Sequence, residues 1–125
     1  MANVLIIEDE EGIQHLLQRI VTMLGHEVVV AGDAPSALSL AREPGVDLII
    51  SDLSLPGKPT GLEFIQQLRT LQPTCPLIIS TGYTTAERMD SLKAAGVQHV
   101  LGKPFEIMEA RALIASIIGN ARAAT

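Results

Sequence analysis

Three nearly continuous runs of Leu, Ile and Val constrain the fold of this chain most strongly. They read VLII at 4–7, DLII at 47–50 and PLII at 76–79. Apolar runs without polar alternation are typical of strands that are covered on both faces, as in a parallel sheet. Together with two weaker apolar segments they predict five strands, at Val4–Ile7, Glu27–Ala31, Asp47–Ser51, Pro76–Ser80 and His99–Leu101.

Segments with helical periodicity lie between and after these strands. In the first, apolar residues from Ile13 to Leu24 recur at spacings of three and four, and Gly25 supplies a stop. Similar stripes follow Leu62 and Ile107, the latter continuing through Ala110, Ile114, Ile117 and Ile118, while Pro35–Glu43 and Thr85–Ala95 are weaker. Five strand–helix units predict an α/β domain with right-handed crossovers and helices on both faces of the sheet. The periodicity does not determine the order of the strands in the sheet.

Length and composition favour one globular domain. The chain has 125 residues, of which 47% are hydrophobic and 18% charged, and single domains cluster at roughly 100–150 residues. We expect the domain to span 1–119. The small and polar segment 120–125 is predicted to be a tail or the start of a linker.

Several classes of function are disfavoured by the same composition. The net charge is −5 and the nine Lys and Arg residues are scattered, which argues against direct nucleic acid binding. The lone Cys75 excludes an internal disulfide and favours a reducing compartment. No apolar run approaches the roughly 20 residues that span a bilayer, and no signal peptide is visible. We therefore expect a cytoplasmic protein without membrane contact.

Polar side chains follow four of the predicted strands. In open parallel α/β sheets the ligand site lies beyond the carboxyl ends of the strands. The residues at those ends are Glu8, Asp9 and Glu10, then Asp52, then Thr81, then Lys103. Each has an ordinary explanation on its own: acids suit the first turn of a helix, Asp suits turns, Thr suits helix caps, and an isolated lysine is usually solvated.

The combination of these side chains points to one chemistry. Carboxylates at one sheet edge repel each other unless a cation or Lys103 neutralises them. Hard oxygen ligands that are few in number suit Mg²⁺, which keeps waters and takes a phosphate oxygen. A carboxylate beside such an ion is a competent nucleophile toward phosphorus, and a hydroxyl and an ammonium stabilise transferring phosphoryl oxygens.

The sequence resembles the receiver family of response regulators, which belong to two-component signal transduction systems. The stretches that carry the resemblance are VLIIEDEEG, DLIISDLSLPG, PLIISTGY and GVQHVLGKPF, and they cover essentially the whole chain. The resemblance implies a flavodoxin-like, doubly wound, five-stranded parallel sheet of order 2-1-3-4-5 with five helices.

The resemblance also implies a role for each site residue. Asp52 would accept a phosphoryl group from a sensor histidine kinase or a phosphotransfer protein. Thr81 and Lys103 would bind phosphoryl oxygens, and the Lys103–Pro104 bond is often cis in this family. The protein would thus be a switch that catalyses only its own phosphoryl transfer and slow dephosphorylation.

Magnesium is the cofactor that the resemblance implies. Asp9 and Asp52 would bind Mg²⁺ directly, Glu8 through a water, and Ser54 through its backbone carbonyl. The output surface would be the fourth helix, fifth strand and fifth helix, which could also form a homodimer. The output domain or target is not identified by the sequence.

Three positions depart from the family pattern. Glu8 replaces the usual Asp, and the loop Pro56–Gly61 is one residue longer. Val100 occupies a position that often holds an aromatic switch residue. A valine has one strongly preferred rotamer and no ring to swing. We therefore hypothesise that the signal travels through backbone shifts in the fourth helix and fifth strand.

Other residues receive simpler predictions. Tyr83 is predicted to cover the acyl phosphate and slow its hydrolysis, so that Tyr83→Ala shortens the phosphate lifetime. His99 is interpreted as a surface residue, and His15 and His26 have no clustered partners for a metal. Cys75 and Phe105 are interpreted as packing residues.

Three alternative functions remain to be weighed. A haloacid-dehalogenase-type phosphatase would carry a second acid two residues after its nucleophile, where this chain has Ser54. A flavodoxin-like cofactor binder needs a loop after the first strand that cradles an anion, and this chain has acids there. A receiver-like adaptor that works without phosphorylation is the remaining alternative, although such proteins typically lack one of the site residues.

Overall fold

The computed structural model describes residues 1–82 and 85–119 of the chain. Strands and helices alternate five times within these residues. The strands are β1 (Asn3–Ile7), β2 (Glu27–Ala31), β3 (Leu48–Asp52), β4 (Leu77–Thr81) and β5 (His99–Gly102). The helices are α1 (Glu11–Met23), α2 (Ala34–Ala41), α3 (Gly61–Leu71), α4 (Ala86–Ala94) and α5 (Ile107–Ile118).

All five strands pair in parallel in the order β2-β1-β3-β4-β5. This confirms the predicted flavodoxin-like fold with five helices. The predicted strand ends were short by one residue in β3, β4 and β5, because Asp52, Thr81 and Gly102 still pair within the sheet. Differences of this size are common at element ends.

The sheet divides the hydrophobic core into two layers. Residues of β1 alternate between them: Leu5 and Ile7 face α2 and α3, whereas Val4 and Ile6 face α1 and α5. The α1/α5 layer includes Leu17, Ile20, Val21, Leu24, Ala110 and Ile114, and Phe105 packs against it as predicted. The opposite layer contains Phe64, the largest fully buried side chain, which the sequence did not single out.

Helix α5 buries less than its sequence pattern suggests, and α4 buries little, in line with its weak pattern. Ile107 shares the angular position of Ile114 on α5, yet it is 53% exposed. Ile107 is the first residue of the helix. It points in the same direction as Ile114 but lies beyond the end of the core that Ile114 joins. Helix α4 buries a single side chain, that of Leu92.

No helix in the described ranges 1–82 and 85–119 is long and apolar enough to cross a membrane.

Candidate functional site

Four chain segments meet at the carboxyl edge of the sheet. Glu8 and Asp9 follow β1, Asp52 ends β3, Thr81 ends β4, and Lys103 follows β5. The register sets Asp52 beside Ser80, and Thr81 beside Gly102. Since Ile6 and Ile50 both face α1 and α5, side-chain alternation sends Glu8 and Asp52 to that same face.

The ammonium of Lys103 joins the two carboxylates. Its Nζ lies 2.7 Å from Oε1 of Glu8 and 3.2 Å from Oδ2 of Asp52. Glu8 is only 1% exposed, whereas Asp52 and Lys103 are half-buried. The lysine therefore bridges a buried acid and an acid that solvent reaches.

Glu8 is fully engaged by hydrogen bonds. Its Oε2 accepts the backbone N–H of Glu10 at 3.1 Å, and its backbone oxygen accepts a bond from the side chain of Gln14. Burial raises the pKa of the Glu8 carboxyl, against the lowering effect of the bonds from Lys103 and Glu10. The Glu8 carboxylate is thus paired with Lys103 at a position that solvent does not reach.

The charge of Lys103 is reinforced by its two partners. Burial alone would lower the pKa of this ammonium, but the hydrogen bonds and charges of Glu8 and Asp52 outweigh burial and raise the pKa above the ordinary value. Lys103 is consequently a stable cation at neutral pH, positioned beside the carboxylate of Asp52.

The donor set for a divalent ion is present at the same edge. Glu8, Asp9 and Asp52 each offer a carboxylate oxygen, and these oxygens lie within 4.8 Å of one another. Asp9 is exposed, and Oδ1 of Asp52 accepts the backbone N–H of Ser54 at 3.2 Å. Hard carboxylate oxygens with open access to water fit the ligand preference of Mg²⁺. Glu8 is the least available of the three, because it is buried, whereas Asp52 is half-buried and Asp9 is exposed.

Thr81 lies at the end of β4 and is buried. Its backbone oxygen accepts the N–H of Lys103 at 2.8 Å, which fixes the start of the β5–α5 loop against β4. The Lys103–Pro104 peptide bond is cis, as the resemblance implied.

An open groove of about 530 Å³ adjoins these carboxylates. Its lining comes from Asp9, from the β3–α3 loop and from the first turn of α4, which contributes Arg88. The complete lining is Asp9, Leu53, Ser54, Leu55, Pro56, Thr60, Gly61 and Arg88.

The structure thus brings Glu8, Asp9, Asp52 and Lys103 together at the edge that the sequence indicated. Sequence reasoning missed two features. It expected Lys103 to neutralise the carboxylates but did not identify Glu8 as its closer partner, and it did not single out Arg88. A helix position gives no sign of which neighbouring loop it faces. The prediction for Tyr83 lies outside the described residues.

Comparison with known proteins adds independent findings. The response regulator receiver domain family matches residues 4–115. The response regulator protein FleR of Pseudomonas aeruginosa is 33% identical over 113 residues, which are 90% of this chain and 23% of FleR. Sporulation initiation phosphotransferase F of Bacillus subtilis is 28% identical over 108 residues, 86% of either protein.

Solved structures agree with these relatives. The chemotaxis response regulator CheY4 of Vibrio cholerae superimposes with a TM-score of 0.85 at 30% identity, over 94% of this chain and 98% of that one. Several curated relatives are much longer than the chain, which spans 12% to 51% of three of them. With the family matched over nearly the full length, this chain belongs to the response regulator receiver domains of two-component systems.

Proposed function

We propose that Asp52 accepts a phosphoryl group from a phosphohistidine of a sensor histidine kinase or a phosphotransfer protein. The observation that carries the proposal is the contact of Lys103 with Asp52, at 3.2 Å, beside the exposed carboxylate of Asp9. One oxygen of Asp52 is thereby held by a cation while solvent still reaches the side chain.

The transfer is a displacement at phosphorus. An oxygen of Asp52 forms a bond to phosphorus as the bond from phosphorus to the donor nitrogen breaks, and the departing imidazole keeps that electron pair and takes a proton from solvent. Lys103 neutralises charge on the phosphoryl oxygens, and Thr81 donates its hydroxyl to one of them. Slow hydrolysis of the product by water returns the carboxylate.

Asp9, Asp52 and the backbone carbonyl of Ser54 would hold Mg²⁺, with Glu8 in the next layer of contacts. A divalent ion at this position supplies charge stabilisation for the phosphoryl oxygens. The carboxylate oxygens within 4.8 Å of one another support this assignment. Glu8 would act mainly by holding Lys103 in place.

The switch acts through its output surface, for which we propose α4, β5 and α5. Residues 1–119 would form the receiver unit, with 120–125 as a tail or linker. The same surface would bind an output domain, a target protein or a second copy of the chain. Because the chain spans only 23% of FleR, the output belongs to the proposal and not to the family match.

Phosphorylation can be tested by intact mass. The protein is incubated with Mg²⁺ and acetyl phosphate, and we expect one added phosphoryl group that is lost on omission of Mg²⁺. Asp52→Ala should abolish the added mass. Asp90→Ala, which removes an exposed acid on α4, serves as the matched control and should label normally. Equal labelling of Asp52→Ala and the parent protein would overturn the proposal.

A further inference from the structure

The groove beside the carboxylates contains one cationic side chain. Arg88 lines it together with Asp9, and every other lining residue is uncharged. Arg88 is half-buried, unlike Arg42, which is exposed at the end of α2. Arg88 therefore lines a groove that it shares with Asp9 and with the loop that directly follows Asp52.

Within the described residues, the guanidinium of Arg88 has no ion pair and no hydrogen bond. The ion pairs found there all belong to Lys103. The backbone N–H of Arg88 donates to Oγ1 of Thr85 and so completes the N-terminal cap of α4. The backbone of this residue therefore takes part in the helix cap. Its guanidinium, which has no partner among residues 1–82 and 85–119, can bind a ligand.

The charges at this edge leave no excess of positive charge for an incoming anion. Glu8, Asp9 and Asp52 contribute three carboxylates, which Lys103 and the proposed Mg²⁺ would together only balance. Lys103 is also already paired with Glu8 at 2.7 Å. An arginine, which offers a planar fork of donors, suits the geometry of phosphoryl oxygens.

We propose that Arg88 is a phosphodonor-recognition residue, whose guanidinium binds the phosphoryl group of the incoming donor in the groove before transfer to Asp52. This inference rests on the proposed phosphorylation of Asp52. Arg88 forms and breaks no covalent bond. It attracts the anion and positions it, so its loss should weaken donor binding while the maximal rate of transfer is kept.

The test compares the parent protein with Arg88→Ala, Arg88→Lys and Arg42→Ala. Phosphorylation by acetyl phosphate is followed by intact mass over a range of donor concentrations, at low and high ionic strength. We expect Arg88→Ala to slow labelling by at least about tenfold at low donor concentration, as for the loss of one charge-assisted contact. The maximal rate should be kept, Arg88→Lys should recover part of the loss, and Arg42→Ala should stay within about twofold.

Ionic strength and a second donor sharpen the result. Salt should slow the parent protein more than Arg88→Ala, because the screened attraction is missing in the variant. A phosphotransfer protein phosphorylated on histidine should show the same loss, since the phosphoryl group is common to both donors. A loss confined to one donor would mean that Arg88 contacts a part of that donor other than the phosphoryl group. This result would overturn the proposal.

Other outcomes separate this inference from the proposed function. Unchanged kinetics of Arg88→Ala, or an equal loss in Arg42→Ala, would refute the role of Arg88 while Asp52 phosphorylation stands. Labelling that persists in Asp52→Ala would refute the proposed function itself. If Arg88→Ala failed to fold, Arg88→Gln would replace it, because it keeps the stem and hydrogen-bonding capacity but lacks the charge.

Discussion

Lys103 pairs more closely with Glu8 than with Asp52. The distances from Nζ are 2.7 Å to Glu8 and 3.2 Å to Asp52, and Glu8 is the buried partner. The lysine is thus oriented by an acid that solvent does not reach, and its position beside Asp52 follows from that pairing. The stability of the site depends on this pair being complete.

Removing the cation alone should destabilise the protein. Lys103→Met leaves Glu8 buried without a counter-charge, and we expect unfolding free energy to fall by about 2–3 kcal/mol. The double variant Glu8→Gln/Lys103→Met should recover most of this loss, because the buried charge is gone. Urea unfolding of the parent protein, Glu8→Gln, Lys103→Met and the double variant, at pH 7 with a chelator, gives the four free energies of the cycle. A double variant no more stable than Lys103→Met would contradict the coupling.

Alkaline pH should weaken the fold through Cys75. Desolvation by burial raises the pKa of this thiol from 9.0 to about 11. Because folding raises this pKa, the stability of the folded state that depends on the neutral thiol is complete below pH 9.0. It is lost as pH rises toward about 11. Cys75→Ala should lack this loss between pH 9.0 and 10.5, the range below the ordinary pKa of Lys103. Parallel unfolding curves of both proteins over that range would contradict the prediction.

The signal should appear in the backbone around Val100. This residue packs at the edge of the core that contains Leu92 and lines an open depression between α4 and β5. Because no aromatic ring occupies this position, we expect the signal to be carried by shifts of the backbone. Amide spectra of the free and phosphorylated protein should therefore differ in α4 and β5. Asp52→Ala treated with the same donor provides the control. Identical amide positions around Val100 in both states would show that the hypothesis is wrong.

His26 should stabilise both ends of the described fold. Its Nδ1 accepts the N–H of Ala2 at 2.9 Å, and Nε2 lies 2.8 Å from the oxygen of Gly119. The ring is 6% exposed. Together these two bonds require a neutral imidazole with its proton on Nε2. His26→Ala should cost about 1–3 kcal/mol in urea unfolding and speed amide exchange at the end of α5, whereas exposed His15→Ala should cost nearly nothing.

Much of the fold was predictable, because the apolar runs of β1, β3 and β4 admit few arrangements other than a covered parallel sheet. The convergence of Asp52 and Lys103 followed from the same topology. The burial of Glu8 beside Lys103 was not predictable, since it depends on the reach of a lysine that follows a strand three positions away in the sheet. Arg88 and Phe64 were missed for a similar reason: helical periodicity gives the angle of a residue around the axis, not the loop or core layer it contacts.

Helix α4 depends on Leu92 alone for fully buried contact with the rest of the molecule. Withdrawing one such side chain costs about 1.5–3 kcal/mol, and one charge-assisted hydrogen bond to an anion returns about as much. Since these two free energies are similar, a single new contact at the first turn of α4 would be enough to displace the helix. Two positions of α4 that differ in free energy by about one hydrogen bond would therefore be enough for a reversible signal.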